Sequence, residues 1–316
     1  MIREFPLHSV EKTCRLFGVS RSAFYKAEKR VNERCLQEAL VLNEVRLIRK
    51  DQPKLGTEKV YLKIQPFLKE HAIKMGRDKL YDLLRAYHLL PKRGRSGSRT
   101  TYSKHHFYKY PNLVKDMDVL RPNLVWCSDI TYIRTGNGWS YLSLITDAYS
   151  HKIMGWSLQP SLRAEGPVEA LKIALSSIPR RIRADSPTRL IHHSDRGIQY
   201  CCREYVSLLE KHQVDISMAK ESYENPIAER INGILKDELL RPGYPRFELA
   251  QKAIKKAVRI YNTERPHRSI NMMYPVDAEN LTGPIPRVWK KNGYRVKKKS
   301  QRNAAGEKKK MTINLS

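Results

Sequence analysis

Three acids in this chain sit among apolar neighbours, and acids so placed are where chemistry is to be sought. Asp129 lies inside Val125-Trp126-Cys127-Ser128-Asp129-Ile130-Thr131-Tyr132-Ile133, a β-branched and aromatic run that reads as a strand. Asp195 follows a short apolar stretch, residues 189–193, that reads as a buried strand running into Arg196-Gly197. The carboxyl end of a strand is where α/β folds tend to present reactive groups. Glu229 belongs to a helix opened by Asn225, a good N-cap, and by Pro226 at its first position. At roughly 100° per residue, Ile227, Ile231, Ile234 and Leu235 gather on one side of that helix. Glu229 and Lys236 fall on the other, with Asn232 beside them.

A charged carboxylate in mid-strand is costly unless it is neutralised or binds a cation. Three brought to one point would repel each other, and hard, oxygen-preferring cations such as Mg²⁺ or Mn²⁺ are the usual remedy. Two such ions per site clamp the attacking and leaving oxygens of a phosphodiester exchange. Spacing alone discriminates little, because 32 acids give many such triplets and most acids are solvated. Asp147 is a rival, since it too follows an apolar strand, Leu142 to Thr146.

The elements that must position these acids read as strands 124–133, 139–147 and 152–159, with Gly136-Asn137-Gly138 as the first hairpin turn. A helix (164–177), a strand (189–193), a helix (203–212) and a strand (213–218) follow. The Glu229 helix and a last helix, 247–261, close the series. Pattern alone supports a mixed sheet with flanking helices.

The ordered motifs carry more. Trp126-x-x-Asp129-Ile130-Thr131-Tyr132-Ile133 is followed by Tyr141-Leu142, Asp147, Ser150, Ile153 and Gly155-Trp156. His193-Ser194-Asp195-Arg196-Gly197-x-Gln199-Tyr200 and Asn225-x-x-x-Glu229-Arg230-x-Asn232-x-x-Leu235-Lys236 come next, then Tyr261-Asn262-x-x-Arg265-Pro266-His267. This series resembles the larger reading frame of insertion-sequence transposases of the IS-three family, with a retroviral-integrase-like DDE core. The resemblance implies an RNase H-like α/β fold with a mixed five-stranded sheet over 119–281, and Asp129, Asp195 and Glu229 as catalytic and metal-binding residues. It also implies recognition of terminal inverted repeats, DNA cleavage and strand transfer, circular intermediates and a multimeric synaptic complex, at least a dimer on double-stranded DNA. It places Asp147 outside the catalytic set, in a structural role. One departure stands: Asp195 and Glu229 enclose 33 residues, two fewer than the family's usual spacing, and loop 219–223 reads as trimmed.

Length and charge fit this picture. The 316 residues suffice for two or three domains. The net charge of +28 is unevenly spread: 119–281 holds 23 Lys and Arg against 18 acids, and the flanks hold the rest of the excess. Such a field attracts polyanions, nucleic acid foremost. No apolar run approaches the ~18 residues of a membrane helix, and Met1-Ile2-Arg3-Glu4-Phe5-Pro6 lacks a signal-peptide core. The five scattered cysteines argue for a reducing interior, so a cytoplasmic, nucleoid-associated location is expected.

Ser9 to Lys29 reads as a helix-turn-helix with Gly18 at the turn and Ser20 as cap; Arg21, Ser22, Tyr25 and Lys26 are its candidate DNA contacts. A boundary is set at 34/35. Residues 35–91 read as a second helical DNA-binding domain, with Leu36, Leu40, Val45, Leu47 and Ile48 as the apolar face of its first helix and Leu80, Leu83, Leu84 and Tyr87 as core of its third. Residues 92–118 read as a basic linker, in which Lys92, Arg93, Arg95 and Arg99 with Tyr102, Phe107 and Tyr108 suit a phosphate backbone. His193 reads equally as a buried, satisfied histidine or as part of the chemistry. Arg196, Asn232, Lys236, Arg265 and Arg268 complete the candidate DNA contacts, with Asn232 left open between bonding DNA and bonding the neighbours of the Glu229 helix, and Arg265 and Arg268 between contacting DNA and capping the core. The tail 282–316 is basic, with eleven Lys and Arg between Arg287 and Lys310. Two other readings remain open: a decayed transposase that only binds DNA, and a nuclease acting on RNA·DNA hybrids.

Overall fold

A computed structural model describes residues 9–91, 107–178, 189–221 and 224–286. Lys92, Arg93, Arg95 and Arg99, the basic run 287–310 and most of the trimmed loop's tip lie outside them.

Helix α1 (Val10–Leu16) turns at Gly18, whose φ of +64° suits a residue without Cβ. Ser20 then caps α2, its hydroxyl accepting from Ala23 N at 3.1 Å. Here the structure departs from expectation: α2 runs unbroken from Arg21 to Asp51, so the 34/35 boundary falls inside one helix. Residues 27–35 contain neither Gly nor Pro to stop it. Surface pairs Lys29–Glu33 (4.0 Å) and Arg34–Glu38 (3.7 Å) support the join at i,i+4 spacing.

Helices α3 (Thr57–Glu70) and α4 (Arg77–Ala86) pack on the last third of α2. The buried face of α2 is Val41, Leu42 and Val45; Leu36, Leu40 and Leu47, expected inside, are exposed, as is Tyr87. The reason is that α3 and α4 cover only one narrow side of α2, whose apolar residues are spread around more than one face.

Strands β1 (Val125–Thr135), β2 (Gly138–Asp147) and β3 (Ile153–Gln159) form an antiparallel meander. Strands β4 (Ile191–Ser194) and β5 (Asp215–Met218) add in parallel beside β1, giving the order β3-β2-β1-β4-β5 of an RNase H-like sheet. On one face lie α5 (Glu165–Ser177), the short α6 (Ile198–Cys201) and α7 (Arg203–Lys211), packed through Trp126, Ile145, Leu171, Tyr205 and Leu209. On the other lie α8 (Pro226–Ile234) and α9 (Phe247–Thr263), packed through Ile133, Leu144, Ile231, Ile254 and Tyr261. The sheet is therefore buried on both sides, as its continuous apolar strands require. The short α10 (Pro275–Ala278) closes the domain.

The expected linker is in part core. Phe107 and Tyr110 pack against the α5 face, and Val114, Met117 and Val119 against Leu124, Val125 and Ala228. Leu113 N donates to Ser217 Oγ at 2.9 Å, and Met218 N to Pro111 O at 3.2 Å. Apolar surface, not phosphate, accounts for these residues; Tyr108 is largely exposed, and Tyr102 lies outside the described residues.

Candidate active site

Asp129 sits on β1 beside β4, and Asp195 follows the last residue of β4, so parallel pairing brings the two acids to one end of the sheet. Asp195 Oδ1 accepts from Gly197 N at 2.9 Å; a Cβ on Gly197 would stand 2.9 Å from that oxygen, which is why a glycine follows Asp-Arg here. Half-buried Asp129 accepts from its neighbour Ile130 N at 2.9 Å and from Asn232 Nδ2 at 2.7 Å. Burial, then the charge of Asp195, push its carboxyl up to about 7; the two hydrogen bonds oppose this, and Glu229 adds a weaker push.

Helix α8 is stitched to β1 at two points. Asn225 stands at its N-cap position, yet its side chain does not cap: Nδ2 donates across to Ser128 O at 3.0 Å. One turn beyond Glu229, Asn232 makes the bond to Asp129. Glu229 itself is exposed in the first turn of α8, with its charge reaching Asp129 and its side chain lining a cleft of about 330 Å³ with Arg230, Gly233 and Asp237. Among the described residues, no three His, Cys, Asp or Glu side chains lie close enough together to hold a metal ion. The structure thus pairs Asp129 with Asp195 and leaves Glu229 at the rim.

The donor set nonetheless fits a hard cation. Burial first, and the neighbouring carboxylate second, lift Asp129 toward neutrality, and an oxygen-seeking divalent ion bound to the pair would offset both costs. Asn232 Oδ1 is buried without a hydrogen-bond partner in the same place.

Asp147 differs. It is 1% exposed, and its oxygens accept from Asn123 N, Ser150 N and Ser150 Oγ, each at 2.7 Å. Two of these donors come from its own turn and the third from the residue stretch before β1. His193 is likewise satisfied: Nδ1 lies 2.9 Å from Ser217 Oγ, Nε2 lies 3.2 Å from Glu224 O, and burial holds its pKa below the usual histidine value.

Two expected DNA contacts are internal. Asn232 is 6% exposed and spends its amide on Asp129. Arg265 is 1% exposed and forks onto Glu238, Nε to Oε2 at 2.9 Å and Nη2 to Oε1 at 2.7 Å, which leaves it no route to DNA in this conformation. Arg21, Ser22, Tyr25, Lys26, Lys236 and Arg268 are exposed, and Arg196 is half-buried beside Asp195. Arg21 lies 3.9 Å from Glu11, both exposed.

Sequence reasoning missed the roles of Asn225 and Glu238, whose partners lie 97 and 27 residues away; for Asn232, a bond to a neighbour of its helix is one of the two readings left open. The signal available was Glu238, a charge falling on the apolar side of α8 and its extension at about 100° per residue.

Comparison with known proteins gives the family. Two family models described as integrase core domain match residues 120–223 and 211–275. The insertion element IS600 uncharacterized 31 kDa protein of Shigella sonnei is 32% identical over 271 residues, covering 83% of this chain and 95% of that protein. Transposase InsF for insertion sequence IS3A of Escherichia coli (strain K12) is 32% identical over 202 residues, 62% of this chain and 68% of its own. The putative transposase for insertion sequence element IS986/IS6110 of Mycobacterium tuberculosis (strain CDC 1551 / Oshkosh) is 29% identical over 202 residues, covering 60% and 72%. Likeness to solved structures is looser: the HTLV-2 integrase catalytic core domain in complex with magnesium matches 51% of this chain and 98% of that one, at 19% identity and a TM-score of 0.37. The chain belongs to the IS-three family of insertion-sequence transposases, with an integrase-like core.

Proposed function

We propose that this transposase binds the terminal inverted repeats of its element and carries out metal-dependent DNA cleavage and strand transfer, with Asp129, Asp195 and Glu229 as its catalytic carboxylates. The observation that carries this reading is that parallel pairing of β1 and β4 brings Asp129 and Asp195 to one end of the sheet, where α8, bearing Glu229, is bonded to Asp129 through Asn232.

Asp129 and Asp195 would hold one Mg²⁺ or Mn²⁺ ion, and Glu229 would join from the rim to complete a two-ion site. When bound, such ions lower the pKa of an oxygen nucleophile and offset charge on the phosphodiester in the transition state. Asn232 keeps one Asp129 oxygen turned toward α8 and so sets the direction of the other. Arg196 and Lys236 would neutralise phosphate oxygens of the bound strand, and Arg268 would add a further basic contact. Attack by water and then by a DNA 3′-hydroxyl needs no covalent protein–DNA link, since both nucleophiles are oxygens.

Residues 9–91, exposing Arg21, Ser22, Tyr25 and Lys26 near the start of α2, would read the element ends, and the basic segments 92–106 and 287–310 would add salt-dependent affinity. Holding two ends at once requires at least a dimer, working on double-stranded DNA in the bacterial cytoplasm. Among the described residues no helix is long and apolar enough to cross a membrane.

The test is strand transfer of an end-bearing duplex with Mg²⁺ or Mn²⁺. Wild type should join ends only with the metal, and Asp129→Asn should lose the reaction by about a thousandfold or more while still binding the duplex. Tight binding with no metal-dependent chemistry in wild type would favour a protein that only binds DNA.

A further inference from the structure

The helix that presents Glu229 does not stop at Ile234. It continues as a π turn, Leu235–Leu239, closed by Leu240 N onto Leu235 O at 2.8 Å. Such turns occur mostly as single insertions, often beside functional sites, because the widened turn re-aims the residues after it. Here it delivers Glu238 to Arg265. The guanidinium meets both carboxylate oxygens, at 2.9 and 2.7 Å, and its Nη1 lies 3.2 Å from His267 Nδ1. Burial and the Arg265 charge hold His267 down to about 2, so its ring is neutral and can accept that proton. Glu238 also lines the same cleft as Glu229.

The other end of this arrangement is the seam with the helical region. Glu264, next to Arg265, offers its backbone carbonyl to Lys63 Nζ at 3.0 Å and to Gln52 Nε2 at 3.5 Å. Lys256 pairs with Asp51 nearby. Lys59 of α3 stands close enough that burial, then the Arg265 charge, lower its amine to about 8, with Glu238 opposing.

A buried ion pair is weak evidence for stability, since well-packed apolar residues often serve as well. What a forked pair adds is direction: two parallel bonds fix the angle of the carboxylate and of the turn that bears it. We infer that Arg265 and Glu238 form a positioning pair for Glu229, holding the helix that presents it and seating that hold on the helical region that precedes the core. The inference rests on Glu229 being a catalytic carboxylate.

The experiment uses the full chain with Arg265→Lys, which keeps the charge and loses the fork, and Glu238→Gln, which keeps the shape and loses the charge. Three readouts are taken: Mg²⁺ titration of strand transfer on an end-bearing duplex, affinity for that duplex, and hydrogen exchange over 226–239. Folded variants should bind the duplex within about twofold of wild type. They should lose about 10- to 100-fold in turnover, the range seen when a partner of a ligating side chain is removed. Half-maximal rate should need more Mg²⁺, and 226–239 should exchange faster with no DNA or metal present. Unchanged exchange over 226–239 overturns the proposal, whatever the activity. So does lost duplex affinity with turnover intact, which would make Arg265 a DNA contact, and so does failure of both variants to fold, which would make the pair structural only. Asp129→Asn run alongside separates the two ideas: strand transfer surviving in it sinks the catalytic reading, not the link between Arg265 and the helix.

Discussion

Asp129 and Asp147 lie on paired strands, both follow apolar residues, and both are pushed upward in pKa by burial, yet they are solved in opposite ways. Asp147 folds a turn around itself: Asn123 and Ser150 point three donors at it from within its own hairpin region. Asp129 receives one donor from its neighbour and one from a helix 103 residues away, and it faces a second acid besides. A carboxylate ringed by donors from the fold serves the architecture; on the function proposed above, one that faces another acid serves an arriving cation. Strain of this kind is stored at functional sites and compensated elsewhere in the fold.

The widest split should come from replacing each acid by its amide. Asp147→Asn turns an NH₂ group toward donors and should cost about 3 kcal/mol, roughly 10 °C in melting temperature. Strand transfer by the protein that remains folded should stay within about tenfold of wild type. Asp129→Asn should melt no lower than wild type in metal-free buffer, because it removes the charge that Asp195 repels. A scanning calorimeter and a strand-transfer gel decide this, and equal loss of chemistry in both folded variants would erase the contrast.

A smaller effect is expected with pH. The folded carboxyl of Asp129, near 7, lies above its value of about 3.8 in the unfolded chain, so between these values the native state binds more protons. Its contribution to stability is thus present at low pH and lost as pH rises through 7. Buried His192, held near 3, acts in the other direction and costs stability as pH falls below about 6.5. The difference in melting temperature between Asp129→Asn and wild type isolates the first term. It should be near zero at pH 4 and grow in favour of the variant up to pH 8; a flat difference would mean that neither burial nor Asp195 lifts the Asp129 carboxyl.

The smallest effect belongs to the satisfied acid. Ser150→Ala removes one of the three donors to Asp147 and should cost about 1–2 kcal/mol by urea melt, with strand transfer unchanged. A loss of chemistry here would tie Asp147 to the site after all.

Much of this was legible locally. The β1–β2 hairpin, the cap at Ser20, the strand before Asp195 and the proline at the start of α8 follow from residue types a few positions apart. What was not legible is where polar side chains go once the chain has closed. Asn225 has the composition of a cap but bonds Ser128; Asn232 and Arg265 look like DNA contacts but are buried on Asp129 and Glu238. Segment 107–118 has the charge and aromatics of a DNA-binding linker, and Phe107 and Tyr110 pack inward because the α5 face offers them apolar cover, while Tyr108 stays exposed. The long α2 was missed for the converse reason: two plausible helices abutted, and no residue between them could end the first.

That helix has a further consequence. At about 1.5 Å per residue its 31 residues span about 46 Å, and burial is confined to Val41, Leu42 and Val45 near its far end. Whatever the first turns touch is therefore carried on a spar whose azimuth is set by residue count. One residue inserted in the exposed half would swing the tip by about 100°, whereas seven would nearly restore its heading about 10 Å further out, some three base-pair steps along a duplex. The chain measures distance in its own helical pitch.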